Sequence, residues 1–405
     1  MHKKFQKIRD EDFPFFQKNK NLIYFDNAAT TQKPKVVVDR LTNFYLYECS
    51  NVNRGVYDLS INASNEFEEV RKKVAKFLNI NDQEQIIFTS GVTECINFLA
   101  NSYGALLKEG DEIILSNMEH NSNLVPWQVI AKKNKLNLKF IPIDDNAMLR
   151  MDVFENELIS NKTKLICITH SSNLTGVVTP IKKIIEIAGK YKAKVFVDGS
   201  QAISHMHLDL IKDLDIDFYA FSSHKMYGPN GVGILYGKKK LLNKMSPYHV
   251  GGGMVQDVDF NTCTFQKIPW KFEAGTPSIG EILAFGTAID YIEKIGRDNI
   301  KEYESYLCQY ATKKLKENIK GIKILGDVEK KSPIISFYLE NIHALDIGVL
   351  LNLQKICVRT GSHCSQLCLK HFKIDSVVRA SFGIYNNISE IDFFIKVLKE
   401  ITDKF

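Results

Sequence analysis

An α/β fold, with a mostly parallel central sheet and helices on both faces, is predicted by two observations. Short apolar runs of strand length alternate with longer amphipathic stretches, and the alternation fades after about residue 260. "EQIIFTS" opens the series as a buried strand, and "TECINFLANSYGALL" follows with helical periodicity. "DEIILSN" is the next strand and "NLVPWQVIAKKN" the next helix. "LKFIPI" and "KLICITH" are apolar strands, "IKKIIEIAGKYK" is a helix, and "KVFVDGS", "DFYAFSS" and "GVGILYG" complete the strand set. Beyond residue 260 come two long helices, "SIGEILAFGTAIDYIEKIG" and "IKEYESYLCQYATKKLKENI". "PIISFYL", a helix near "ALDIGVLLNLQK", "VRASFGIYN" and a last helix "EIDFFIKVLKEI" end the chain. The expected division is a large domain over 21–262, a smaller α+β domain over 263–405, and an arm, 1–20, that joins the smaller one.

The 405 residues suffice for such a pair, and 44% apolar with 25% charged residues argues for a sizeable core and against disorder. The net charge of +6 comes from Lys and Arg interleaved with Asp and Glu, without the basic stripe of a nucleic-acid binder. The eight cysteines are mostly far apart, several in apolar runs, as in a reducing compartment. The opening "MHKKFQKIRDEDFPFF" lacks the apolar core of a secretory signal, and no run of about 18 apolar residues appears. A cytoplasmic protein without a membrane span is expected. No repeat or low-complexity tract stands out.

Ligands of open α/β sheets bind beyond the carboxyl ends of the strands. "KVFVDGSQ" ends at Asp198, a carboxylate that needs a partner or water there. "DFYAFSSHKMYGP" ends in Ser222, Ser223, His224 and Lys225; a lysine so placed is desolvated, which lowers its pKa and makes the amine nucleophilic. "IIFTSGVTECIN" offers Gly91 and Thr93 where a strand meets a helix, the makings of an anion cradle. "NMEHNSNLVPW" adds His120. Amine, acid, anion cradle and aromatic platform at one sheet edge are what pyridoxal phosphate requires: a lysine for the Schiff base, an aspartate to keep the pyridine nitrogen protonated, and a phosphate site. Singly, each residue has an ordinary reading as helix cap, solvated lysine or structural histidine. The succession of "VDGSQ" and "SSHK" on strand ends is what chance supplies poorly. "GPNGVG" has the wrong glycine spacing for a dinucleotide fingerprint and reads as a turn.

"YFDNAATTQKP", "NVNRGVY", "MEHNSNLVPW", "SNLTG", "VDGSQ", "FSSHKMYGPNGVGILYG", "FEAGTPS", "RTGSHC" and "RASFGIYN" resemble, in order and spacing, the class II cysteine desulfurases of the Suf iron–sulfur assembly system, within the fold-type I pyridoxal-phosphate enzymes. The resemblance runs from about residue 20 to the C-terminus. It implies that the large domain binds the cofactor and that Lys225 holds it covalently. Asp198 would face the pyridine nitrogen, Gln201 the ring hydroxyl, and His120 would stack on the ring. Thr93, Ser222 and His224 would bind the phosphate, joined by Thr276 from the other subunit of a homodimer. Arg379 would clamp the substrate carboxylate, with Asn173 and Arg359 lining the substrate side. Cys364, on a loop of the small domain, would take sulfur from L-cysteine as a persulfide, leaving alanine, and pass it to an acceptor protein. His120 or His363 would exchange a proton near neutral pH.

Relatives commonly carry two histidines before the nucleophile, a proline after it and a second histidine after His120. Here Ser362, "CSQLC" and Asn121 stand instead. Leu345 occupies the place of a histidine that some relatives use to exchange a zinc ligand with their acceptor, which favours an acceptor of the zinc-free type, although His343 is near. Four readings compete with the leading one. Selenocysteine lyase and cysteine sulfinate desulfinase share the fold. A non-catalytic assembly partner would lack the cofactor. A zinc site built from His363, Cys364, Cys368 and His371 would silence the thiolate. Cys368 itself is expected to be a partly buried helix residue, the alternatives being a persulfide relay or a disulfide with Cys364.

Overall fold

The computed structural model describes residues 2–206 and 214–405. All seven apolar runs before residue 260 form one sheet: β1 Ile86–Thr89, β2 Glu112–Ser116, β3 Asn137–Ile141, β4 Thr163–Thr169, β5 Lys194–Asp198, β6 Phe218–Ser222 and β7 Gly233–Gly237. The order across the sheet is β1-β7-β6-β5-β4-β2-β3, with β7 antiparallel to both neighbours and every other pair parallel. Alternate residues enter two separate cores, as period-2 side chains must. Val195 and Val197 join one, Phe196 the other. The helices Val92–Ser102 and Val125–Asn134 cover the Phe196 face. Asp58–Phe77, Ile181–Lys190 and Ile279–Ile295 cover the opposite face. In the second of these, Ile181, Ile184, Ile187 and Ala188 make a single buried stripe.

A second, antiparallel sheet runs Lys323–Leu325, Ile334–Tyr338, Val377–Ser381, Arg359–Gly361 in spatial order. Arg297–Asn318, Ala344–Leu353 and Ile388–Thr402 are its helices, the last started by a capping box between Asn387 and Glu390. The N-terminal helix His2–Asp12 lies against this region. Phe5 stacks on Tyr303 with ring centroids 4.1 Å apart, and Arg9 meets Glu390 at 2.7 Å. The two regions meet through Ile23–Tyr24, which pairs in parallel with Ile356–Cys357, and through Ile279–Ile295, which packs on Lys35–Asn43 and Asp58–Phe77.

Register fixes what the sheet edge presents. Thr169 lies beside Asp198, and Asp198 beside Ala220, so Ser222 and the turn Ser223–Lys225 continue from the same edge. By alternation Thr169, Asp198 and Ser222 share the face of Cys167, Phe196 and Ala220, the face of the Val92–Ser102 helix. Gly199 lets the chain turn there: a Cβ would fall within 2.2 Å of the Tyr219 ring.

Candidate active site

A cavity of about 690 Å³ opens at this edge. It is lined by Thr93, His120, Asn173, Asp198, Gln201, Ser222, His224, Lys225, Arg359, Cys364 and Arg379, and so by every residue to which the resemblance gives a cofactor, substrate or sulfur-accepting role except Thr276. Thr276 lines an adjoining hollow that shares Ser90 and Glu94 with the first.

Asp198 is buried, and its Oδ1 accepts both the amide (3.0 Å) and the hydroxyl (2.6 Å) of Ser200. Among the described residues no side chain or amide bonds its other oxygen. Lys225 Nζ likewise has no hydrogen-bond or ion-pair partner among them. Burial above all brings the Lys225 pKa down to about 8, with Asp198 and Cys364 opposing the shift and Arg379 and Arg359 adding to it. The amine is thus partly neutral near physiological pH, as a carbonyl-capturing nucleophile must be.

The anion cradle is built where β1 passes into the helix that starts at Val92. Ser222 Oγ accepts the Val92 amide at 2.9 Å, and the hydroxyls of Thr93 and Ser122 lie 2.9 Å apart. Burial, then Lys225 and Lys33, bring the His224 pKa down to about 4. His120 Nδ1 accepts the Ser122 amide at 3.0 Å, which leaves the ring proton on Nε2. Burial and Lys225 hold its pKa near 4, so the ring is neutral at pH 7. Gln201 Nε2 donates to the Ala28 carbonyl at 2.7 Å.

The opposite wall is cationic. Arg359 donates from Nε and Nη2 to Asp26, at 2.9 Å for the shortest contact, and Arg379 Nη2 reaches the same carboxylate at 3.3 Å. Arg379 is buried, donates from Nη1 to the Asn173 carbonyl at 2.9 Å, and has no partner at Nε among the described residues. Burial draws its pKa down to about 10. Neither Asp26 nor Ser200 was singled out from the sequence. Asp26 stands 333 residues before Arg359, and the pairing of Ile23–Tyr24 with Ile356–Cys357 and the bridge of Asp26 to Ser381 bring them together.

Cys364 is exposed to the cavity between the strand Arg359–Gly361 and the helix Gln366–Phe372. His363 (φ +53°) and Cys364 (φ +56°) are both left-handed, a rare state for two successive residues with side chains. Four bonds hold it. Asn173 Nδ2 donates to the His363 carbonyl (2.8 Å), Ser365 Oγ donates to Asn173 Oδ1 (2.9 Å), the Asn121 amide donates to the Cys364 carbonyl (2.8 Å), and the Ser365 amide closes on Ser362 (3.0 Å). The Asn173 side chain is therefore occupied by the cysteine loop. His363 is buried, its Nε2 lies 3.3 Å from the Val377 carbonyl, and burial brings its pKa to about 3. Cys368 is wholly buried, more so than expected, and burial pushes its thiol up to about 12. No group of three or more His, Cys, Asp and Glu among the described residues is placed to share a metal ion.

The geometry suits pyridoxal phosphate: an amine with no partner among the described residues, a carboxylate with one oxygen open among them, hydroxyls and amides at a helix start, and a cavity of ordinary ligand size. Comparison with known proteins points the same way. Residues 23–394 match the aminotransferase class-V family model. The chain is 45% identical to a cysteine desulfurase of Wigglesworthia glossinidia brevipalpis over 96% of both chains. It superimposes with a TM-score of 0.93 on the apo structure of a cysteine desulfurase from Thermococcus onnurineus, 35% identical, covering 98% of each chain. The S-sulfonic acid form of the Escherichia coli cysteine desulfurase CsdA gives 0.91 at 33% identity and 99% coverage of each.

Proposed function

The chain belongs to the aminotransferase class-V family and is a pyridoxal-phosphate-dependent cysteine desulfurase; we propose that it carries the sulfur of L-cysteine as a persulfide on Cys364 and hands it to an acceptor protein for iron–sulfur cluster assembly. The observation that carries this is one cavity lined both by the partnerless Lys225 amine and by an exposed cysteine thiol.

When bound, pyridoxal phosphate supplies a carbonyl that captures amines and a protonated ring that accepts the electron pair left at the substrate α-carbon. Asp198 would hold its ring nitrogen, Gln201 its hydroxyl and His120 its face. The phosphate would rest on Thr93, Ser222 and His224, with Thr276 of the partner chain in a homodimer. Arg379 would take the substrate carboxylate, a task suited to a buried guanidinium with an unused Nε. Arg359, already near, would share Asp26 with it.

Lys225 Nζ, in the same cavity, would take the substrate α-proton as a base. Cys364, as a thiolate, attacks the substrate sulfur: an S–S bond forms, the C–S bond breaks, and its electron pair returns to the carbon that becomes the alanine methyl group. The zinc-free class of acceptor is favoured by Leu345 in the place of a histidine; the nearby His343 accepts the Leu345 amide as a helix cap and lies 3.3 Å from Ser376.

Mass spectrometry after adding L-cysteine should find one extra sulfur on Cys364 and alanine in solution. Cys364→Ser assayed with L-cysteine, L-selenocysteine and cysteine sulfinate tests the assignment, since selenium release does not need the thiol. Equal loss on all three would overturn the role of Cys364.

A further inference from the structure

The carbonyl oxygen of His224, one peptide bond before Lys225, is surrounded by four donors from a single short segment. They are the Thr31 amide (3.1 Å), the hydroxyls of Thr30 (3.1 Å) and Thr31 (3.1 Å), and Lys33 Nζ (2.9 Å). A carbonyl oxygen has two lone pairs, so satisfying it would take half of this set. Thr31 Oγ1 also accepts the Tyr227 amide at 2.9 Å, so the segment grips the turn on both sides of Lys225.

Lys33 is the unusual member. Its ammonium is partly buried, bonds the Thr31 carbonyl at 2.6 Å besides that of His224, and has no carboxylate within ion-pair distance among the described residues. Burial lowers its pKa to about 7. A cation held this way costs stability rather than adding to it. Lys33 does not line the cavity, so it is not a second candidate for the cofactor amine. Its charge reaches the His224 ring, at the phosphate end of the cavity.

We propose that Thr30, Thr31 and Lys33 are positioning residues for Lys225: they clamp the His224–Lys225 peptide by its carbonyl, so that the amine enters the cavity while the His224 ring stays at the anion cradle. The inference rests on Lys225 as the cofactor lysine. It gives "TTQK", part of a motif singled out from the sequence, a task in the site.

The test uses full-length protein stripped of cofactor and titrated with pyridoxal phosphate, followed by the visible absorbance of the bound form. Lys33→Met and Thr31→Val should each raise the dissociation constant about tenfold and move the pH at which the visible band titrates. Thr31→Ser, which keeps the hydroxyl, should restore both to within about twofold. The melting temperature of cofactor-free Lys33→Met should equal or exceed that of the parent, because the unpaired charge is gone. Parent-like binding and titration in Lys33→Met and Thr31→Val would overturn the clamp. So would a fall in the cofactor-free melting temperature that matches the loss of binding, since that is the mark of a purely structural role. A parent that forms no visible band would instead defeat the reading of Lys225.

Discussion

The two halves of the site are built in opposite ways. The amine half hangs from the carboxyl ends of adjacent strands, where register sets Thr169 beside Asp198 and Asp198 beside Ala220, and Ser222 and the turn to Lys225 follow at once. The thiol half is a loop between a short strand and a short helix, with two successive left-handed residues held by hydrogen bonds from Asn121, Asn173 and Ser365. The contrast suits the chemistry. A covalently held group needs an anchor that never moves. A nucleophile that must reach the substrate and then present its sulfur elsewhere needs an anchor that can be released, and strain offset by a few hydrogen bonds is such a device.

The largest expected effect tests the amine half. Lys225→Ala should lose the visible absorbance of the bound cofactor and all detectable alanine formation, while Cys364→Ser should keep the absorbance and lower alanine formation by roughly 10³-fold or more. Spectra and alanine assays on the same preparations would show whether the halves are separable. A Cys364→Ser protein that cannot hold the cofactor would break the comparison.

Asn173 comes next, because it touches both halves: its carbonyl receives Arg379, and its amide holds the cysteine loop. Asn173→Ala should cut turnover by about 10²-fold, the order expected for a displacement of about 1 Å, with little change in cofactor binding. The alkylation rate of Cys364 by iodoacetamide should change by about threefold or more as the loop leaves its left-handed state. An unchanged rate would mean that the two bonds of the Asn173 side chain do not determine where the thiol lies.

Much of this division could be read in the sequence, and the reason is physical. The strands of the main sheet are apolar on both faces, so "KLICITH" and "KVFVDGS" declare themselves, and the residues after them are the edge of the site. The helix Asp58–Phe77 was missed because its stripe is diluted: it buries Ser60 and Arg71 among its apolar residues, the latter compensated by Glu273 at 2.7 Å. The exposed hairpin of Val255–Val258 and Cys263–Phe265 has no core face to betray it. Asp26, Ser200 and the hold of residues 30–33 on His224 were hidden for another reason. Their meaning lies in partners two, some 190 or 333 residues away, and period or composition carries no trace of a partner.

The smallest effect concerns protons. Burial places the Lys225 amine near pKa 8. Lowering the pH below that value protonates the nucleophile, so capture of pyridoxal phosphate by cofactor-free protein should slow about tenfold per pH unit below 8 and level off above it. His120 and His224, both near 4, stay neutral across this range and should add no second inflection. In Asp198→Asn the supporting negative charge is gone, the amine pKa falls, and the inflection should move to lower pH, read by stopped-flow absorbance from pH 6 to 9. Arg359→Gln removes a positive charge and should move it the other way. Opposite displacements from one wall and the other would show that the amine, though fixed by the sheet, is tuned by the loop half of the cavity as well.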